Sequence, residues 1–430
     1  MKKPIFTALS PNAERDDIFL AFKLLFCPWK WKVGNACPPA GRTGMRSLQM
    51  EIKKYFDVRH VFLLSSGRAS LYAILRALNL NSEDEVLLQA YTCVAVPNSI
   101  LWVGAKPVYV DIVKESFNMD TKDLRKKITP KSKVLIIQHT FGLPANVDEL
   151  IAIAKEKNLF VIEDCAHALG AKYNGKLVGT FGDASFLSFG RDKIISSVFG
   201  GAIVTNNDFL AEKIEKEIAS YPFPNYFWIF QQLLHPVFLH AVKNTYTFFG
   251  LGKFLQKFFR VFHILSLAVT KDEKQSKMPD WILKKMSYAL TRLALNQFQK
   301  LELMNAHRQK IASMYENEFI GRERMPVRPA GGHAFPTETK NALSIFLRYT
   351  IQTRKAREIF EALKKENIFL GDWYWQVVAP EGVDNEKIGY QRESCSVAEE
   401  LAKVSLNLPT HIGVSESDAK RIITKVKQYL

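Results

Sequence analysis

A lysine condenses with an aldehyde only through its neutral amine, and burial among apolar residues favours that form. Lys193 ends the segment Phe186, Leu187, Ser188, Phe189, Gly190, Arg191, Asp192, Lys193, and the Ser188 hydroxyl five positions earlier is suited to donate to a phosphate. Most lone lysines are solvated surface charges, so this segment alone decides nothing. A second segment, Val161, Ile162, Glu163, Asp164, Cys165, Ala166, His167, places acids at the end of an apolar run. An aspartate at the mouth of a sheet can hold a pyridine nitrogen protonated through a charge-assisted hydrogen bond, and that proton makes the ring an electron sink. The same Asp164 would serve equally as a helix cap, and His167 alone reads as a satisfied, half-buried histidine. A third segment, Ser65, Ser66, Gly67, Arg68, Ala69, Ser70, has the small residues that let backbone N–H groups approach an anion at a helix N-terminus. A plain turn has the same composition. The fourth, Tyr91, Thr92, Cys93, Val94, Ala95, either covers one face of a bound ring or is an ordinary buried loop.

The elements that must position these residues follow from periodicity. Residues 47–56 and 67–78 have helical spacing, and 61–64, 86–88, 108–110, 134–137 and 159–162 are short apolar runs between helical segments. That alternation predicts an α/β fold with a mostly parallel sheet and crossover helices. Strand ends are where such sheets place ligands; Ser65 follows the run 61–64, the Tyr91 segment comes after 86–88, and Asp164 lies just past 159–162. Residues 279–319 predict one or two long helices with a bend. Beyond them, 341–349 predicts a strand, and 353–366 and 415–429 predict helices of a smaller α/β unit.

Phosphate loop, ring-covering loop, acidic strand end and lysine occur in that order from Ser65 to Lys193. In this order the sequence resembles the fold type I pyridoxal-phosphate enzymes, and more closely the DegT/StrS sugar aminotransferase family. Colinear support comes from Asp84, Glu85, Val86; from Gly104 through Asp111; from His139, Thr140, Phe141, Gly142; from Gly170 through Gly175; and from Leu406 through His411. The resemblance implies a fold type I large domain, a smaller C-terminal α/β domain and pyridoxal 5′-phosphate as cofactor. It implies that Lys193 is the catalytic Schiff-base lysine and that Asp164 faces the pyridine nitrogen. His167 falls near the ring, Cys93 on its face, and Ser188 with Gly67, Arg68 and Ala69 around the phosphate; His139 and Asp183 read as structural. The reaction implied is transfer of an amino group from an amino acid, glutamate by analogy, to a nucleotide-linked or lipid-linked keto-sugar, in polysaccharide or glycolipid synthesis. A homodimer is implied as well. A dehydratase or other lyase reaction on the same cofactor is the alternative, and a non-catalytic, membrane-associated protein on the same fold is a third reading. Two departures stand out: Cys93 replaces a stacking aromatic ring, and Arg68 replaces a Thr or Ser.

The formal net charge of +16 allows nucleic acid, anionic membrane or anionic substrates as partners. No zinc-finger spacing or aromatic-basic RNA signature is present, which disfavours nucleic acid. Five scattered cysteines (Cys27, Cys37, Cys93, Cys165, Cys395) suit neither a disulfide framework nor a metal site, and a reducing cytoplasm fits them. The first 15 residues are too polar for a signal peptide. Residues 219–270 contain no Asp or Glu and are dense in aromatic side chains. Within them, 251–262 predicts a cationic amphipathic helix suited to a membrane interface or to packing on a protein surface. Residues 226–242 are uncharged, but Gln231, Gln232, His235, Pro236 and His240 argue against a spanning helix. Residues 18–33 interleave Phe19, Phe22, Phe26, Trp29 and Trp31 with Lys23, Lys30 and Lys32, suiting a shared membrane-facing surface or an arm on a dimer partner. The expected organisation is 1–45 N-terminal arm, 46–218 cofactor-binding domain, 219–278 aromatic insertion, 279–320 linking helices and 321–430 small domain. The expected location is cytoplasmic, extended to the inner face of the membrane.

Overall fold

Apolar runs without polar alternation are buried on both faces, as in the centre of a parallel sheet. The computed structural model describes residues 4–8, 12–32, 39–246, 266–319 and 342–430. Seven strands form its main sheet: β1 (His60–Leu64), β2 (Glu85–Gln89), β3 (Lys106–Val110), β4 (Ser132–Gln138), β5 (Phe160–Asp164), β6 (Ala184–Ser188) and β7 (Gly201–Thr205). Their spatial order is β1-β7-β6-β5-β4-β2-β3. β6, β5, β4, β2 and β3 are parallel, while β7 is antiparallel to both β6 and β1. The five apolar runs fall in β1 to β5. β7 also carries a short apolar run, Ala202, Ile203 and Val204, but nothing local signals its antiparallel direction. The return through β7 depends on Gly201, where a Cβ would lie 2.5–2.7 Å from the backbone of Ser66 and Gly67.

Three helices carry the site and the surface beside it: α1 (Arg15–Leu25), α2 (Gly67–Ala77) and α3 (Tyr226–Thr245). α2 starts where Ser66 Oγ accepts the Ala69 N–H at 3.1 Å, a side-chain cap. The helix expected at 47–56 begins earlier, as Pro39–Phe56. The region 279–319 holds two helices, Tyr288–Phe298 and Leu301–Phe319, with the bend at Gln299 and Lys300. The C-terminal strand is Arg348–Gln352, antiparallel to Ser405–Pro409, a pairing that local periodicity does not reveal. Helices Ala356–Lys365 and Glu416–Lys427 pack on this pair around Ile351, Ile359, Leu363, Leu406 and Ile422.

The N-terminus is stitched into the body. Ile5–Phe6 pairs parallel to Ile368–Phe369, and α1 lies against α3. α3 runs on through Pro236. No helix among the described residues is long and apolar enough to cross a membrane. The amphipathic pattern at 251–262 and Cys37 lie outside the described residues.

Candidate active site

The C-terminal ends of β5 and β6 and the start of α2 open into one cavity of about 430 Å³. Gly67, Arg68, Cys93, Asp164, His167, Ser188 and Lys193 all line it. Ala69 does not; its N–H is used by Ser66 at the helix cap. Gly67 faces Ser188 so closely that a Cβ there would meet the Ser188 Cβ at 3.1 Å. The helix N-terminus and the Ser188 hydroxyl thus form one cradle of donors, the arrangement that binds phosphate oxygens.

Asp164 ends β5, and its Oδ1 accepts the Ala166 N–H at 2.9 Å. Burial raises its pKa, and the Ala166 N–H and the Lys193 charge oppose that rise. Burial lowers the pKa of Lys193; the nearby Cys93 and Asp164 act against this, and Arg348 acts with it. The Lys193 Nζ lies 4.9 Å from the centre of the Trp373 ring. His167 stacks on Trp373 at 5.3 Å and 19°, and on Phe141 at 5.9 Å and 4°. Its Nδ1 accepts the Phe141 N–H at 3.4 Å, and its Nε2 lies 3.4 Å from the Tyr374 hydroxyl. Burial first, then the charges of Lys193 and Arg348, hold its pKa well below the usual value, so the ring is neutral at pH 7. Burial also raises the pKa of the Cys93 thiol, so it stands in the cavity as a neutral, soft side chain.

The cationic departure at Arg68 takes an unforeseen form. Arg68 is paired with the fully buried Glu273, donates to the Ala268 carbonyl at 2.9 Å and lies 5.0 Å over Trp281. Its charge is therefore matched within the chain. Arg191, also on the cavity wall, donates to the carbonyl and hydroxyl of Ser266, and burial lowers its pKa to about 10. His139 and Asp183 do structural work: His139 Nε2 lies 3.1 Å from Glu163, and Asp183 Oδ2 accepts the Val161 N–H at 2.8 Å.

Sequence reasoning missed the wall supplied by the C-terminal part of the chain. Trp373, Tyr374 and Trp375 line the cavity beside Arg357. Trp373 is covered on one side by the buried Arg348 guanidinium, 3.6 Å from the ring centre. Three aromatic rings in succession are a visible signal, but nothing local says that they face Lys193. Gln138 was missed too; it ends β4 and accepts the Thr92 hydroxyl at 2.6 Å.

Known proteins similar to this chain include sugar aminotransferases. A UDP-N-acetyl-3-dehydro-α-D-glucosamine 3-aminotransferase of Acidithiobacillus ferrooxidans is 28% identical over 387 residues, covering 90% of this chain and 88% of that protein. GDP-perosamine synthase of Escherichia coli O157:H7 is 41% identical over 156 residues, 36% of this chain and 43% of that one. Among solved structures, the Bacillus subtilis protein NtdA, with its cofactor PMP bound, superposes with a TM-score of 0.71 at 20% identity, covering 100% of this chain and 85% of that one. At that identity the likeness speaks for the fold. The model of the DegT/DnrJ/EryC1/StrS aminotransferase family matches residues 41–223 and 254–427. The chain belongs to the DegT/DnrJ/EryC1/StrS aminotransferase family, a family of pyridoxal-phosphate-dependent enzymes.

Proposed function

We propose that this protein transfers an amino group from an amino acid, glutamate by analogy, to a keto-sugar, with Lys193 as the point of covalent attachment for pyridoxal 5′-phosphate. The observation that carries this reading is the convergence of Lys193, Asp164, Ser188 and the N-terminus of α2 on one cavity. The cavity fits the cofactor in both size and donors. An anion cradle, a carboxylate at the end of β5 and the half-buried Lys193 amine all line it. When bound, the cofactor takes up the amino group and delocalises the electrons released at the donor α-carbon.

The chain's own residues do the rest. Asp164 holds the proton on the ring nitrogen by charge-assisted hydrogen bonding. Lys193 Nζ, kept deprotonated more readily by burial, carries the proton between the donor α-carbon and the cofactor. Ser188 and the N–H groups of Gly67 and Arg68 orient the phosphate. His167, neutral and clamped between Phe141 and Trp373, walls the ring and excludes water without adding charge. Cys93 offers that wall a small soft surface. The aminotransferase and perosamine synthase relatives support a nucleotide-linked sugar as acceptor. A homodimer and a peripheral membrane contact complete the proposal. So does the division into a cofactor-binding domain (46–218), an insertion (219–278), linking helices (279–320) and a small domain (321–430).

The test is the visible spectrum of protein loaded with pyridoxal phosphate, before and after L-glutamate. The expected result is a band that glutamate bleaches and that Lys193→Ala lacks. A band indifferent to every amino donor would favour the lyase alternative. No band at all would overturn the reading.

A further inference from the structure

Away from the cavity, α1 and α3 are each apolar on two sides. α1 buries Ala21 and Leu24. At 100° per residue, Phe19, Phe22 and Phe26 fall about half a turn away from them, and these three are 47–66% exposed. Trp29, just beyond α1, is 66% exposed. α3 buries Trp228, Ile229 and Leu233 but leaves Tyr226, Phe227 and Phe230 between 37% and 65% exposed. Trp31 joins the two helices, with its ring 5.9 Å from Tyr226 and 6.4 Å from Phe230. These seven side chains exceed the scattered surface apolar residues expected of a soluble protein, and a concentration of this kind marks an interaction site.

Charge selects the occupant. The Lys32 Nζ sits 4.2 Å over Tyr226 and that of Lys23 5.6 Å over Phe19, with Lys30 beside Trp29 in the chain. The acids of α1, Asp16 and Asp17, lie in its first turn, where they share Lys300, whereas Phe22 and Phe26 lie toward and just past its other end. Residues 219–270 contribute no acid. A second copy of this face would set lysine against lysine. An anionic bilayer offers the opposite charge and an interfacial layer that Trp, Tyr and Phe favour.

We propose that the aromatic face of α1 and α3 docks on an anionic lipid bilayer. The consequence for the enzyme is positional. Trp228, on the inner side of α3, packs 5.4 Å from Phe199, which lines the cavity. The bilayer would then lie about one helix diameter, ~10 Å, from the cavity wall.

The experiment is co-sedimentation of the full-length, cofactor-loaded protein with vesicles of phosphatidylcholine containing phosphatidylglycerol, against pure phosphatidylcholine. Binding to the anionic vesicles alone, weakened by salt, is the expected result. The variant Phe22→Ser/Phe26→Ser/Trp29→Ser should bind about tenfold or more weakly, and Lys23→Gln/Lys30→Gln should lose the preference for anionic lipid. Both should keep the glutamate-sensitive absorbance and the lipid-free sedimentation coefficient of the parent, which shows that they fold. Parent protein that stays in the supernatant would overturn the proposal. So would an aromatic variant that binds as well as the parent, or one that instead dissociates a lipid-free oligomer, which would make the face a subunit contact. The vesicle and sedimentation readouts do not depend on the reaction assigned to Lys193; only the absorbance control does.

Discussion

Glu273→Gln tests whether Arg68 is committed to an internal partner or serves the anion cradle. One fully buried carboxylate accepts Arg68, the Thr270 N–H at 2.9 Å and the Thr270 hydroxyl at 3.0 Å. Removing one member of a buried ion pair costs about 3–5 kcal/mol, because the other charge stays buried and unmatched. Glutamine keeps the size and can still accept from Thr270, so the lower end, about 3 kcal/mol, is expected. The released guanidinium sits on the first turn of α2, beside the cradle. A charge-assisted hydrogen bond from it to a phosphate contributes about 1.5–3 kcal/mol, so phosphate should bind the variant about 10- to 100-fold more tightly than the parent. Urea unfolding followed by tryptophan fluorescence, with and without inorganic phosphate, reads both effects. The variant should unfold at lower urea, and phosphate should restore more stability to it than it adds to the parent. An unchanged midpoint would show that the pair does not form. A lowered midpoint with the parent's response to phosphate would show that Arg68 cannot reach the cradle.

Two further substitutions probe the site. Asp164→Asn keeps an acceptor for the Ala166 N–H but removes the charge. Cofactor should still bind, while single-turnover bleaching by glutamate slows about 10²- to 10³-fold; an unchanged rate would remove Asp164 from its assigned role. Gly201→Ala places a Cβ 2.5 Å from the Ser66 carbonyl carbon, which should destabilise the protein by about 1–3 kcal/mol and weaken cofactor binding by displacing the cradle. Parental affinity in a cofactor titration would contradict that geometry.

Much of the site was legible because its determinants are local. A short apolar run followed by Ser66, Gly67 and Arg68 predicts a strand, a turn and a helix start wherever it occurs. Asp164 ends β5, and Lys193 lies in the loop that follows β6, its hydrogen-bonded parallel neighbour, so both groups come to the same edge of the sheet. The apolar runs of β1 to β5 have one stable environment, a doubly covered sheet, so their fate could be read from composition.

Other features were decided only when the chain closed on itself. Arg68 reads as an added cation, yet Glu273, 205 positions away, matches its charge. Trp373 reads as one aromatic residue in a run, yet tertiary packing brings both Arg348 and Lys193 against its ring. Ala69 reads as a phosphate contact, yet the cap at Ser66 takes its N–H. Periodicity shows that α1 and α3 are rich in apolar residues, but not which side each would turn inward. A hydrophobic stripe reports that burial is favourable without naming what covers it. Sequence by itself determined the order and type of the chemical groups, because those depend on neighbours in the chain. Partners, exposure and charge balance were left to the tertiary structure, because they depend on residues brought together from hundreds of positions apart.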